Sequence, residues 1–388
     1  MGITWPSTIR RKPSPPNRAH SLLRLARELS EGGPLRIEVA HPKELGPAEI
    51  ALWRAHQAAD SNLASPYLTP EWAQIIGAER EDARVCVIDG GRGFLGVQRQ
   101  SRYAAMGLGA PIADYQGVVG EAGLVADGSA ICRALGVGRI DLTHVPEGQR
   151  VLGARAAGGE GSWIADVSSG SGAYAAAIKE RRPEFVRQID KKVRKLGRER
   201  ESMKFTALSI DHGHFETMLH WKNQQLARTG QPRIWERAWV RRVLDESFAA
   251  RSRSFSGAFF TLTVDGQLVA ANYFLRSETV LHDWIMAHDP AFDAYSPGVQ
   301  LARWAVTWAG DKGLREVDFG PGEYQYKRQL ATGQRRLEWG AVSGASWSGA
   351  VRRAQYAVRA GVERLPYPRI AALPGKAMRK FDLIRALG

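Results

Sequence analysis

Two periods of apolar residues alternate along this chain, a two-residue period of strands and a three-to-four-residue period of helices. Leu35–Val39 alternates as a strand. Pro47–Asn62 and Thr69–Ala78 carry the helical period, with Thr69 ahead of Pro70 as an N-cap before a first-turn proline. Arg84–Ile88 and Gly93–Gln100 predict strands around a Gly90-Gly91 turn. Ser129–Leu135 predicts a short helix and Arg139–Leu142 a short strand. Residues 179–200 predict one helix, in which Phe185, Ile189, Val193 and Leu196 make a single apolar stripe. A similar order then returns. Lys204–Leu208 is a strand, His214–Arg228 and Ala238–Ala250 are helices, and Gly257–Val264 pairs with Gln267–Leu275 around Asp265-Gly266. Thr279–His288 is a third strand and Asp289–Tyr295 a loop. A helix follows from Pro297 to Ala309 behind Ser296 as N-cap, then a strand at Arg315–Phe319, a helix at Glu323–Thr332 and a strand at Arg336–Val342.

This order divides the chain into five parts: a basic, Pro-rich segment at 1–34 expected to be disordered up to a short helix at Ser21–Leu29, a half at 35–178, a basic linker helix at 179–203, a second half at 204–345, and a basic tail at 346–388. The tail holds an amphipathic helix near Val351–Arg364, followed by Pro366, Pro368 and Pro374. It reads as a solvated extension or as a membrane-surface contact. Strands and helices mixed in this way make an α+β (α/β) chain with a mostly antiparallel sheet in each half.

At 388 residues, 44% of them hydrophobic and 24% charged, the chain can bury two cores. No run approaches a membrane span and no signal-peptide core is present, so a cytoplasmic place is expected. Cys86 and Cys132 stand alone, which gives neither a metal spacing nor a disulfide framework.

The net charge of +14 is concentrated. Residues 1–35, 179–200 and 346–388 carry +4, +6 and +7, leaving the remainder at −3. An anionic partner touched at particular places is expected: membrane lipid, nucleic acid, a phosphorylated carrier or an acyl-CoA. Arg181 and Arg182 belong to the basic helix, which is either a solvated linker or a wall for such an anion.

Candidate chemistry gathers in Asp318-Phe319-Gly320-Pro321-Gly322-Glu323-Tyr324-Gln325-Tyr326-Lys327-Arg328, where a strand gives way to a helix. Glu323 and Lys327, four apart, would share a helix face. Pro111-Ile112-Ala113-Asp114-Tyr115-Gln116-Gly117 is a loop bracketed by Pro and Gly, in which Asp114 either caps an amide or faces a substrate. Strand alternation would put His282, Trp284, Met286 and His288 on one face and Asp283 on the other. No Ser-His-Asp or Gly-x-Ser-x-Gly arrangement is present, so acyl transfer here would be direct attack rather than a covalent acyl-enzyme. The base candidates are Asp114, Glu323 and Asp318, with His288 as helper. Lys327 suits a phosphate or an oxyanion, and Tyr326 a leaving group or a sugar.

His288-Asp289-Pro290, Tyr295-Ser296-Pro297-Gly298 and Asp318-Phe319-Gly320 leading to Tyr326-Lys327 resemble the acetyltransferase-like domain of the CelD/BcsL family, a GNAT-superfamily group related to Fem-type peptidyl transferases. The resemblance spans roughly residues 36–345 and implies tandem GNAT-like halves meeting near 170–205. It also implies an acetyltransferase acting on a sugar or lipid-linked precursor in exopolysaccharide or envelope synthesis. Asp114 and Tyr115 are similar to the Asp-aromatic loop that Fem-type enzymes turn towards substrate. The usual GNAT phosphate loop, Arg/Gln-x-x-Gly-x-Gly/Ala, is missing; Ser296 and Gly298 at a helix N-terminus stand in its place as the expected acyl-CoA contact. Fem-type enzymes use aminoacyl-tRNA instead, which leaves the donor open. A binder of anionic polymer or membrane that keeps the fold without the chemistry is the second class.

Overall fold

The computed structural model describes residues 35–152, 156–364, 367 and 373–387. The predicted segment 1–34, Pro366 and Pro368 lie outside them. In chain order the first part runs β1 (Ile37–Ala40), α1 (Pro47–Ala59), α2 (Pro70–Glu79), β2 (Ala83–Ile88), β3 (Gly93–Gln98), β4 (Ala105–Gly107), β5 (Val118–Gly120), α3 (Gly128–Leu135), β6 (Ile140–Pro146) and β7 (Ala156–Asp166). Two helices follow, α4 (Ser171–Arg181) and α5 (Pro183–Glu199). The second part is β8 (Met203–Thr206), α6 (His212–Arg228), α7 (Ala238–Ala249), β9 (Ser256–Val264), β10 (Gln267–Arg276), β11 (Val280–His288), α8 (Pro297–Asp311), β12 (Glu316–Pro321), α9 (Gln325–Leu330) and β13 (Gly333–Val342). The tail is α10 (Trp347–Glu363) and α11 (Leu373–Leu387).

One sheet runs through both parts in the order β1-β2-β3-β4-β6-β13-β7-β12-β11-β10-β9-β8, with β5 pairing β3. Two pairs are parallel, β4 with β6 and β11 with β12; the others are antiparallel. The exchange in the middle ties the two parts together. β13, from the end of the second part, lies between β6 and β7, and β7, from the end of the first, lies between β13 and β12. One apolar core carries Trp53 and Trp72 of α1 and α2 together with Phe215 and Val240 of α6 and α7. A second core packs α4, α5 and α8 on the same sheet through Tyr174, Phe185, Leu301 and Phe319.

Several local expectations change. The helix at 179–200 is two helices broken at Arg182, because Pro183 has no N–H to donate and disfavours helical backbone in the residue before it. The apolar stripe survives the break: Phe185, Ile189 and Leu196 are buried. β7 carries little strand composition. Its glycines fit because a Cβ on Gly158 would meet the Trp339 ring at 2.2 Å, so packing against β13 makes this segment a strand. Ser296 has left-handed backbone (φ 51°) and its side chain does not cap α8. Instead Ser296 Oγ accepts from Lys192 Nζ at 2.6 Å. α9 starts at Gln325, so Glu323 precedes it. The tail is docked rather than solvated: Asp141, buried in β6, pairs with Arg352 of α10 at 3.1 Å and Arg385 of α11 at 2.5 Å.

Candidate functional site

Parallel strands β11 and β12 pair only over Val280–His282 and Glu316–Asp318. Beyond that register they part, although β11 continues to His288 and β12 to Pro321. A cavity of about 730 Å³ opens at this fork, within the range of small-molecule sites. Its lining includes Asp114 of the first part, Asp283, Trp284, Met286 and His288 of β11, Pro321 of β12 with Tyr324, Tyr326 and Lys327 after it, Lys222 and Arg228 of α6, and Ser296 and Gly298 at the start of α8.

The first part contains a corresponding fork, but it is closed. β4 and β6 pair at Ala105–Met106 and Ile140–Asp141. Past that point Gln116 fills the gap: its Oε1 accepts from Thr143 N at 2.8 Å, and a Cβ on Gly107 would lie 2.1 Å from the Gln116 side chain. The loop that plugs this fork carries Asp114 and Tyr115 across to the other one.

Asp114 reaches the cavity on a fixed partner. His282 Nε2 donates to Asp114 Oδ2 at 3.0 Å, and His282 Nδ1 faces Asp318 Oδ2 at 3.7 Å. Asp318 is buried and heavily held: Tyr115 Oη donates at 2.5 Å, Ser162 Oγ at 2.5 Å and Gly320 N at 2.8 Å. Arg335 stands 3.6 Å from the same carboxylate while forking onto Glu316. Burial alone would lower His282, but Asp318 and the bond to Asp114 hold it above the ordinary imidazole range. Burial would raise Asp114, but the bond and charge of His282, then His144 and Lys327, hold its carboxyl below the usual range. Asp114 is therefore favoured as a carboxylate, held by the His282 ring and lining the cavity.

In the same lining, Lys327 is nearly buried, donates to Pro321 O at 2.9 Å and lies over the Tyr324 ring. Tyr326 Oη donates to Asp283 Oδ2 at 3.1 Å. Burial pushes Asp283 above the ordinary carboxylate range against the charge of Lys327 and the Tyr326 bond. Burial likewise pulls Lys222 below the usual lysine range.

Among the predicted residues, Asp114, Lys327, Tyr326, His288, Ser296 and Gly298 line this cavity. His288 stands at its rim, bonded to Asp293 at 2.6 Å. Tyr115 and Asp318 are buried behind the wall and position Asp114 through His282. Glu323 is outside the cavity; its side chain is 78% exposed and meets Arg328 at 3.9 Å. The expected shared face with Lys327 fails because the helix begins two residues later. Arg181 and Arg182 also lie away from it, Arg181 bonding Thr332 O. His282, Asp283 and Lys222 join the site unpredicted. Strand alternation put Asp283 and Trp284 on opposite faces, but β10 and β11 slip register at Tyr273/Phe274, leaving Trp284 as an extra residue. Leu281 thus packs in one core and Ile285 in the other, so Asp283 and Trp284 both reach the cavity.

For an anionic donor, the start of α8 supplies little backbone. Pro297 has no N–H, and Val299 and Gln300 both donate to Ser296 O. The Gly298 amide, with the Lys192 and Arg228 charges nearby, remains. These residues fit an anionic donor through side-chain charge more than through an amide cradle. Among the described residues no cluster of His, Cys, Asp and Glu is placed to hold a metal ion.

Residues 183–328 match the family described as acetyltransferase (GNAT) domain, a stretch that holds the fork, α8 and Lys327 but not Asp114. No curated protein matches the chain. The crystal structure of FemX superposes with a TM-score of 0.50 at 11% identity, over 74% of this chain and 94% of that one. A C-terminal domain (DUF2156) from Agrobacterium fabrum, provisionally described as part of a lysylphosphatidylglycerol synthetase, gives 0.48 at 10% identity over 78% and 94%. A tandem GNAT protein from the clavulanic acid biosynthesis pathway gives 0.41 at 12% identity over 81% and 100%. The chain thus carries a stretch, residues 183–328, that matches an acetyltransferase (GNAT) domain, and the parted strands β11 and β12 lie within it.

Proposed function

We propose that the protein transfers an acyl group directly from an acyl-CoA to the amine of a sugar or lipid-linked envelope precursor. The observation that carries this is the presence, in one cavity, of an ionised Asp114 fixed by His282 and of Lys327. The acceptor nitrogen attacks the donor carbonyl, and its proton becomes acidic as the C–N bond forms. Asp114 accepts that proton. Charge developing on the carbonyl oxygen is met by Lys327, and the tetrahedral intermediate collapses with expulsion of the thiolate. Asp318, Tyr115 and Ser162 keep the His282 ring in place throughout. The CelD/BcsL resemblance of the words around His288, Ser296 and Asp318 supports the precursor class, and the basic face of α5 beside Ser296 supports a phosphate-bearing donor.

Aminoacyl-tRNA is the second donor, favoured by the sparse amides at the start of α8. Free thiol release from acetyl-CoA with amino-sugar acceptors tests the first donor, with mass spectrometry of the product. Charged tRNA in the same assay tests the second. Turnover with acetyl-CoA, abolished in Asp114→Asn, is the expected result. Failure of both donors across amine acceptors would leave the anionic-polymer binder as the better description.

A further inference from the structure

Helix α11 is docked by one side and apolar on the other. Its inward side holds Ala386, which packs on Met106 and Ala110, and Arg385, which bonds Asp141. Its outward side presents Leu373, Ala377, Phe381 and Ile384, spaced four, four and three, which places them on one stripe. Phe381 is 60% and Ile384 59% exposed. Neighbouring α10 exposes Trp347 and Val358. Single exposed apolar residues are ordinary; a helical row opposite a docked face is not.

Lys376, Arg379 and Lys380 stand beside that row, all exposed. We infer that α11, helped by the exposed face of α10, seats the protein on an anionic lipid bilayer. An apolar stripe flanked by lysines and arginines is the pattern of a helix lying in a membrane interface. A nucleic acid would put phosphates where Phe381 and Ile384 now stand. A second copy would bring the same cationic row against itself. No helix among the described residues is long and apolar enough to cross a membrane, and the contact inferred here is a peripheral one.

The seat adjoins the site. Ala110, which Ala386 covers, opens directly into the loop that carries Asp114. A lipid-linked acceptor would then be held on the helix that packs against this loop. That last step rests on the proposed function, whereas bilayer binding is measured without any activity.

The test is flotation of the full chain with vesicles of phosphatidylcholine alone and of phosphatidylcholine with phosphatidylglycerol. The expected result is binding to the anionic vesicles that weakens with salt, and weaker binding to the neutral ones. Phe381→Ser with Ile384→Ser, and separately Lys376→Glu with Lys380→Glu, should each reduce it about tenfold or more. These side chains are exposed, so melting should be unchanged. Should the first pair melt early, the charge pair carries the test alone. Wild-type binding by both variants, or no binding at low salt, overturns the inference. A dimer of the wild type that the same variants dissolve overturns it in favour of self-association.

Discussion

His282 Nε2 lies 3.0 Å from Asp114 Oδ2, joining a loop of the first part to a strand of the second across 168 residues. The carboxylate that the proposed chemistry needs belongs to one part, and the imidazole ring that fixes it belongs to the other. Asp114→Asn keeps the size and a hydrogen-bonding group but removes the base. Transfer should fall by about 10²–10⁴-fold in a protein that remains folded by circular dichroism. Near-wild-type turnover in Asp114→Asn would remove Asp114 from the mechanism.

The same pair should give stability a pH signature. Asp114 is held below its unfolded value of about 3.9, so its contribution is present above that pH and lost as pH falls through the lower folded value. His282 is held above its unfolded value of about 6.5, so its contribution is present below that pH and lost as pH rises through the folded value. Both contribute in the window between about pH 4 and 6.5. The melting difference between wild type and Asp114→Asn should be widest there and narrow towards pH 9. A difference that grows with rising pH would contradict the charge assignment of the pair.

Lys327 and Glu323 separate function from surface charge. Lys327→Met keeps most of the buried stem and removes the cation facing the cavity. Its loss should cost about 10²–10³-fold in turnover if it meets the oxyanion, with a smaller change in apparent affinity. Glu323→Gln breaks a long, exposed pair with Arg328, the sort worth roughly 0–1 kcal/mol, and should leave turnover and melting unchanged. Steady-state kinetics on the two variants side by side checks both expectations.

Much of both parts was legible because the periods are local. Thr69 caps α2 through its side chain as the sequence suggests, and the Asp265-Gly266 hairpin and the start of α8 at Pro297 lie where expected. What was not legible depended on distant residues. β7 is a strand because β12 and β13 flank it, which its glycines do not announce. His282 was visible as a strand residue, but its partners Asp114 and Asp318 lie far along the chain in either direction. The bulge at Trp284, set by pairing with β10, turned Asp283 into the cavity and defeated alternation. Asp141 offered no hint that it would gather Arg352 and Arg385 from the tail.

That gathering leads to a further expectation. Asp141 is buried with three arginines around it, Arg139, Arg352 and Arg385. Removing one partner of a buried ionic cluster leaves uncompensated charge, at a cost of about 3–5 kcal/mol. Asp141→Ala should therefore melt well below the wild type. Hydrogen exchange should quicken first in α10 and α11, the elements those arginines anchor. Unchanged exchange in both helices would mean that they are held by packing alone.

Gly320 tests whether the placement of Asp114, rather than its mere presence, matters. Gly320 has φ +73°, and a Cβ there would stand 2.8 Å from Asp114 Oδ2 and 3.4 Å from His282 Nε2. Gly320→Ala thus adds two effects: left-handed backbone strain of roughly 1–2 kcal/mol, and a push on the carboxylate that the cavity presents. Gly322 separates the two. It has φ +101°, but its Cβ would meet only the Tyr324 ring, at an ordinary 3.5 Å. Gly322→Ala should share the strain and spare Asp114. Both variants should lose several degrees of melting temperature, while Gly320→Ala should lose transfer as well, through kcat more than KM. Equal turnover in the two would show that a displaced Asp114 still serves and that the 3.0 Å contact with His282 is structural. A deep loss confined to Gly320→Ala would tie turnover to that contact, because the two variants share their strain and differ in what the new methyl touches.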